Sequence, residues 1–163
     1  MVLHYRVDER VIHGQTTTRI TKEFVCNGII IVDDEISQNK FMMQLFKQTV
    51  PGDIRVIGFD VEKALVKLEE AEKSDKNYIV IFKKPAAARA LAEKGYRFKD
   101  TLFIGPQNLK EDGIFVVKMI GLNPSEMADL DYLEEQGVKV ILNPMFDTPD
   151  LTWSEAKKKI EHS

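Results

Sequence analysis

A histidine, an aspartate and two arginines stand in one ten-residue segment near the N-terminus, Arg6 to Gln15, which reads RVDERVIHGQ. The segment joins a predicted first strand to a predicted first helix. The first turn of a helix has unpaired backbone N–H groups and the positive end of the helix dipole, and both attract anions. The residue types and their position therefore indicate a turn that binds phosphate.

His13 is the candidate nucleophile of this turn. A neutral imidazole nitrogen is available near pH 7 and attacks phosphorus without a strong base beside it. The product would be a phosphohistidine, whose labile P–N bond lets the phosphoryl group pass from one donor to one acceptor. No organic or redox cofactor is needed. The alternative is a histidine that is buried or only caps the helix, and the neighbouring arginines favour the first interpretation.

Arg10 and Arg6 are the candidate residues for neutralising the phosphate from its two sides. Phosphoryl transfer is catalysed mainly by positioning and by stabilising charge on the phosphoryl oxygens, for which the guanidinium fork is well shaped. Strand alternation places Arg6 on the face opposite Tyr5 and Val7. The alternative for either arginine is a surface ion pair with a neighbouring acid.

Three further residues are expected to support the turn. Asp8 would orient either His13 or an arginine. Gly14 would allow close backbone approach, and Gln15 would supply an extra donor, together with a threonine that follows it in the helix.

Short β-branched and aromatic runs alternate with helical patterns along the chain. Predicted strands are Leu3 to Val7, Gly28 to Val32, Ile54 to Ile57, Tyr78 to Phe82, Leu102 to Ile104, Ile114 to Val117 and Val138 to Leu142. Predicted helices are Thr17 to Phe24, Gln38 to Thr49, Val61 to Lys73, Ala86 to Lys94, Pro124 to Gln136 and Trp153 to Glu161. The alternation predicts an α/β fold with a mainly parallel sheet of about seven strands and helices on both faces. Residues 105 to 113 are too short and polar for a crossover helix and predict a loop that leads to an antiparallel or edge strand.

The bulk composition favours one compact domain over residues 1–163. The chain has 44% hydrophobic and 30% charged residues and a net charge of -3. This balance argues against disorder and against general nucleic-acid binding. A single cysteine, Cys26, permits no internal disulfide, and no secretory signal or membrane-spanning run is present, so we expect a cytoplasmic protein.

Other chemistry finds weaker support in the sequence. The three histidines and one cysteine lack metal-ligand spacing, so no metal is expected, and no nucleotide-binding glycine motif is present. His4 and His162 have no evident partners and are interpreted as structural. Asp33-Asp34-Glu35 is interpreted as a turn that caps the next helix rather than as an aspartyl-phosphate pocket. For Lys83-Lys84-Pro85, binding of a phosphate or partner and simple entry into a helix with Pro85 at its start remain equal alternatives.

The segment Arg6 to Gln15 closely resembles the active-site stretch of the IIB component of the mannose/fructose/sorbose family of bacterial sugar phosphotransferase systems. The usual pattern there is R-I-D-D-R-L-I-H-G-Q, and only Val7, Glu9 and Val11 depart from it, each conservatively. The resemblance extends over the whole chain, through Ile31 to Glu35 and Ile81 to Pro85.

This resemblance implies a phosphocarrier enzyme, a protein-N-phosphohistidine–sugar phosphotransferase of the EC 2.7.1 class. His13 would be the phosphorylated histidine, Arg10 the arginine implicated in transfer, and Arg6 a residue lining the pocket. A phosphorylated IIA protein or domain would donate to IIB. IIB would then phosphorylate a hexose or amino-hexose delivered by the membrane components IIC and IID, with which it would associate peripherally.

The sequence also departs from the family pattern in two places. Gly105 to Asn108 replaces a segment that often carries paired glycines or Gly-Asn, and Thr16 to Ile20 differs from the common V-A-T-x-W continuation. The main alternative is a regulatory protein that receives phosphate on His13 but phosphorylates no sugar. A receiver module phosphorylated on an aspartate and a purely structural binding module are further alternatives. The identity of the sugar and the formation of a homo-oligomer stay open.

Overall fold

The computed structural model describes residues 1–146 and 148–161, so His162 lies outside the described residues. The strands are β1 (Val2–Val7), β2 (Gly28–Val32), β3 (Arg55–Phe59), β4 (Tyr78–Phe82), β5 (Leu102–Ile104), β6 (Ile114–Val117), β7 (Ile120–Leu122), β8 (Val140–Leu142) and β9 (Leu151–Thr152). The helices are α1 (Gly14–Glu23), α2 (Lys40–Thr49), α3 (Val61–Lys73), α4 (Pro85–Glu93), α5 (Pro124–Glu135) and α6 (Trp153–Glu161), with a 3-10 turn at Ile36–Gln38. Among these helices, none is both long enough and apolar enough to cross a bilayer.

Seven strands form one sheet in the order β3-β2-β4-β1-β5-β8-β9, and every pairing is parallel except that of β8 with β9. Helices cover both faces. Ile20 of α1 and Phe46 of α2 pack on one face in the smaller core cluster. The larger cluster on the other face receives buried side chains from α3 to α6, namely Leu68, Leu91, Leu133 and Trp153. The predicted fold class is confirmed.

Three strands depart from the prediction, and two of them change the membership of the central sheet. Ile114–Val117 is not part of the central sheet but pairs antiparallel with β7 in a separate hairpin. The sequence analysis missed β7 and β9, because Ile-Gly-Leu and Leu-Thr lack the run of β-branched and aromatic residues by which the three-residue β5 was recognised. The expectation of a loop that leads to an antiparallel strand after residue 105 is confirmed.

The strand order changes direction beside β1, which is where open α/β sheets bind ligands. From β1 the chain moves through α1 to β2, whereas β4 leads to β5 on the opposite side of β1. Backbone hydrogen bonds then tie the loops at the carboxyl ends together. Asp8 N donates to Phe82 O at 2.9 Å, and Gly105 N donates to Val7 O at 2.7 Å. The segment that follows β1 is therefore fixed by both neighbouring strands.

Candidate functional site

The turn between β1 and α1 is anchored by two buried apolar side chains. Val11 and Ile12 belong to the smaller core cluster, with exposed fractions of 4% and 7%. Val11 has φ 62°, a conformation that strains a β-branched residue, and its N–H donates to Asp8 O at 2.9 Å. Burial of the two side chains holds the tight turn in place and brings His13 to the start of the helix.

His13 is the N-cap residue of α1 and is exposed to solvent. Its side chain is not buried and makes no capping hydrogen bond, which contradicts the alternative of a buried histidine or one whose side chain caps the helix. The first hydrogen bond of the helix runs from Thr17 N to His13 O at 2.8 Å. The N–H groups of the three residues between them, Gly14, Gln15 and Thr16, therefore have no acceptor inside the helix. A free imidazole thus lies next to an array of backbone donors.

Arg10 is held against a buried carboxylate beside this array. Its Nε and Nη2 donate to Oδ1 and Oδ2 of Asp8 at 3.2 and 3.1 Å. A third hydrogen bond joins Nη2 to Thr16 Oγ1 at 2.9 Å. The side chain of Asp8 is 2% exposed and that of Arg10 is 30% exposed. The ion pair with a neighbouring acid, which was the alternative for Arg10, does form. It leaves the guanidinium at the rim of the site, where it is accessible to an anion.

Arg6 lies deeper than the sequence analysis expected. It is 1% exposed, so it does not flank an anion at the surface as Arg10 does. Its Nη2 donates to Asn143 O at 3.0 Å, and its Nε lies 3.8 Å from Oδ2 of Asp8. Burial lowers the pKa of Arg6 to about 10, against the opposing attraction of Asp8. Asp8 therefore contacts both arginines, and the orienting role expected of it stays a prediction.

The loop after β8 completes the site, and the sequence analysis did not identify it. The ring centroid of Phe146 lies 4.8 Å from Cζ of Arg6 and 5.5 Å from Cζ of Arg19. A small cavity of about 140 Å³ opens between this loop and the start of α1. Its lining residues are Arg10, Gln15, Thr16, Arg19, Met119, Pro144, Met145 and Phe146. Nothing local in the sequence connects Asn143 or Phe146 with a turn more than a hundred positions away.

The loop after β5 packs directly on the turn. Asn108 N donates to Glu9 Oε2 at 2.6 Å, and Lys110 Nζ lies 3.4 Å from Glu9 Oε1. A Cβ atom added to Gly105 would lie 2.7 Å from Nη2 of Arg6, so only glycine fits against this guanidinium without displacing it. The Gly105 to Asn108 segment, a departure from the family pattern, thus helps to position the site.

The other candidates have structural partners. Asp33 accepts hydrogen bonds from Glu35 N and Ile36 N, which confirms that it shapes the turn before the 3-10 helix. His4 is buried, and its ring is stacked on Phe103 and tilted against Phe24. Pro85 begins α4 as predicted, and phosphate binding at the preceding lysines stays an alternative from the sequence. Among the described residues, no cluster of acids, histidines or cysteines suits a metal ion.

Comparison with known proteins agrees with this geometry. Residues 2–160 match the family model described as "PTS system sorbose subfamily IIB component". The sorbose-specific EIIB component of Lacticaseibacillus casei is 30% identical over 144 residues, which cover 88% of this chain and 87% of that protein. The mannose-specific EIIAB component of Escherichia coli is 23% identical over 156 residues, covering 96% of this chain and 48% of that protein.

A solved structure shares the whole fold. The IIBSor domain of the sorbose permease from Klebsiella pneumoniae superposes with a TM-score of 0.88 at 24% identity, covering 100% of this chain and 98% of that one. Fold, sequence relatives and a family model that spans nearly the full length agree. The chain therefore belongs to the sorbose subfamily of IIB components, the phosphocarrier components of sugar phosphotransferase systems.

Proposed function

We propose that His13 is the residue that carries the phosphoryl group, and that Arg10 is the residue that stabilises it during transfer. The observation that carries this proposal is the exposed imidazole at the N-cap of α1, next to three backbone N–H groups without helical acceptors. A dianion on the ring would meet these donors and the positive end of the helix dipole. Gly14 and Gln15 contribute two of the N–H groups, and Gln15 also lines the adjoining cavity.

Arg10 supplies charge where the phosphoryl oxygens gain it. Within the described part of the chain, its side-chain hydrogen bonds engage Nε and Nη2, which leaves the two N–H bonds of Nη1 for the anion. Because the guanidinium is already held by Asp8, little reorganisation is needed when the phosphate arrives. Arg6 is buried on the other side of Asp8, with its Nε 3.8 Å from Oδ2 of that carboxylate. Its direct contact with phosphate stays a prediction from the sequence.

Transfer would take place in two displacements at phosphorus. In the first, a ring nitrogen of His13 forms a P–N bond while the bond between phosphorus and its donor atom on a phosphorylated IIA protein breaks. In the second, a sugar hydroxyl oxygen forms a P–O bond, the P–N bond of His13 breaks, and the hydroxyl proton passes to the vacated imidazole. The net reaction is that of a protein-N-phosphohistidine–sugar phosphotransferase of the EC 2.7.1 class. It requires no cofactor.

The partners follow from this reaction. The name of the E. coli relative, EIIAB, joins a IIA and a IIB unit in one protein, which supports a IIA partner for this chain. The acceptor would be a hexose or amino-hexose delivered by the membrane components IIC and IID. We place the protein, as a single IIB domain over residues 1–163, on the cytoplasmic side of that complex. The alternative role as a regulatory phosphohistidine protein has no structural observation in its favour.

The test is phosphorylation by a purified mannose-family IIA in the presence of phosphoenolpyruvate and the general phosphotransferase proteins. Intact mass and site mapping should show one acid-labile phosphate on His13. The His13→Ala variant should take up none and should keep its fold, since the wild-type side chain makes no capping hydrogen bond. Loss of the phosphate on adding IIC/IID vesicles and sugar would establish the carrier role. An unphosphorylated His13 in the presence of an active IIA would refute the proposal.

A further inference from the structure

We propose that Thr16 is a positioning residue for phosphoryl transfer, acting through a hydrogen bond that its hydroxyl accepts from Arg10. This inference rests on the proposed roles of His13 and Arg10 and names a further residue on which they depend. Thr16 Oγ1 lies 2.9 Å from Nη2 of Arg10. It stands three residues after the N-cap histidine, and residues three apart share one face of a helix.

The contact completes the restraint of the guanidinium. One edge of the Arg10 guanidinium donates hydrogen bonds to the Asp8 carboxylate, from Nε at 3.2 Å and from Nη2 at 3.1 Å. Two hydrogen bonds on a single edge still allow the planar group to rotate about that edge. Thr16 accepts the second hydrogen of Nη2, so this nitrogen has partners on both sides and the plane of the guanidinium is set. Nη1 is then presented to the phosphate in one orientation, as electrostatic stabilisation of transfer requires.

The use of this hydroxyl is unusual within its own helix. Thr18 and Thr21 donate to carbonyl oxygens four residues earlier, at 2.7 and 2.8 Å, which is the ordinary contact of a helical threonine. Thr16 instead accepts from a side chain in the preceding turn. Its backbone N–H is one of the three at the start of α1 without a helical acceptor. One residue thus links the backbone donors to the arginine.

The test measures the rate of phosphoryl transfer from phosphorylated IIA by rapid quench in wild type and four variants. Thr16→Val keeps the side-chain shape and removes the acceptor, and we expect about a fivefold lower rate at saturating IIA, as loss of one hydrogen bond predicts. The concentration of IIA at half-saturation should not change. Thr16→Ser should keep the rate within about twofold of wild type. Thr16→Ala is the second deletion variant if the valine protein folds poorly. Thr21→Val is the matched control, because it removes the same group from the same helix but leaves Arg10 untouched.

A double-variant cycle separates positioning from a general structural effect. Lysine at position 10 lacks the fork that Thr16 holds. In the Arg10→Lys background, Thr16→Val should therefore cause no further loss of rate. A valine variant as fast as wild type would overturn the proposal, and so would an undiminished fivefold loss in the Arg10→Lys background. If wild type itself takes up no phosphate on His13 from an active IIA, the proposed function fails and the role of Thr16 fails with it.

Discussion

Asp8 is the residue on which the candidate site depends most, and Asp8→Asn tests that dependence. Its carboxylate accepts hydrogen bonds from Arg10 N, Nε and Nη2 and lies 3.8 Å from Nε of Arg6. Asparagine keeps the shape of the side chain but removes the negative charge. It also turns one acceptor oxygen into an NH₂ donor, which faces the N–H donors of a guanidinium.

The expected cost follows from the burial of the groups involved. Breaking a buried ion pair by removing one partner costs about 3 to 5 kcal/mol, because the other charge stays buried without compensation. Arg6 is 1% exposed and would keep no counter-charge among the partners described above, whereas the side chain of Arg10 is 30% exposed and can turn to water. We therefore expect the lower end, a loss of about 3 kcal/mol in the free energy of unfolding. For a chain of this size that lowers Tm by about 6 to 12 °C.

The assay is thermal unfolding followed by circular dichroism at pH 7.5, with urea unfolding as an independent measure. Glu70→Gln is the control, since Glu70 pairs with Lys67 at the surface and its side chain is 59% exposed. That variant should change the free energy of unfolding by less than about 0.5 kcal/mol. A Tm for Asp8→Asn within about 1 °C of wild type would refute the view that Asp8 compensates a buried charge.

Two further predictions concern stability. Burial, assisted by Arg6, lowers the pKa of His4 to about 3, so the unfolded chain binds more protons than the folded one below about pH 6.5 and stability falls as pH falls. His4→Phe removes this effect. Between pH 7.5 and pH 5 the free energy of urea unfolding should fall by about 2 kcal/mol more in wild type than in this variant. Equal losses in the two proteins would contradict the reasoning. Gly105→Ala should lower the urea-unfolding free energy by about 1 to 3 kcal/mol, because its Cβ would lie 2.7 Å from Nη2 of Arg6. At Gly52 an added Cβ meets nothing within 4 Å, so Gly52→Ala is the control, and an equal effect of both changes would contradict the steric argument.

The helices were the most predictable part of the fold. α3 and α6 begin and end where the sequence analysis placed them. The Asn123-Pro124-Ser125-Glu126 signature forms the capping box of α5, with both reciprocal hydrogen bonds present. Such signals are local, because the side chains that end a helix lie within four residues of the backbone groups they satisfy.

The pairings of β6 and β9 were not predictable by the same means. β9 has two residues, and its pairing with β8 depends on the path of the intervening loop rather than on a pattern of its own. Ile114–Val117 carries β-branched and aromatic residues suited to a sheet, yet two of its side chains, Ile114 and Phe115, are exposed. Its strand propensity was correctly recognised, but propensity does not say which sheet a strand joins.

The candidate site was predictable where its residues are close in the chain. The sequence placed His13 in the turn between β1 and α1, although it predicted the helix from Thr17 and α1 begins at Gly14. Strand alternation placed Arg6 on the face opposite Tyr5 and Val7, whose side chains lie in the larger core cluster. The depth of Arg6 could not be predicted, because it depends on Asn143 and on the loop after β8. These contacts join positions separated by more than a hundred residues, and no periodicity in a single sequence records them.

The strained backbone at Val11 has a consequence for the proposed binding of phosphate at this turn. A β-branched residue stays at φ 62° only if the surrounding structure leaves it no alternative, and burial of Val11 and Ile12 in the core provides that constraint. A flexible anion-binding turn loses conformational entropy each time it binds an anion. This turn is already ordered in the folded protein, so that entropy is lost once, when the protein folds. The proposed carrier would therefore need little change in this part of its backbone when phosphate binds.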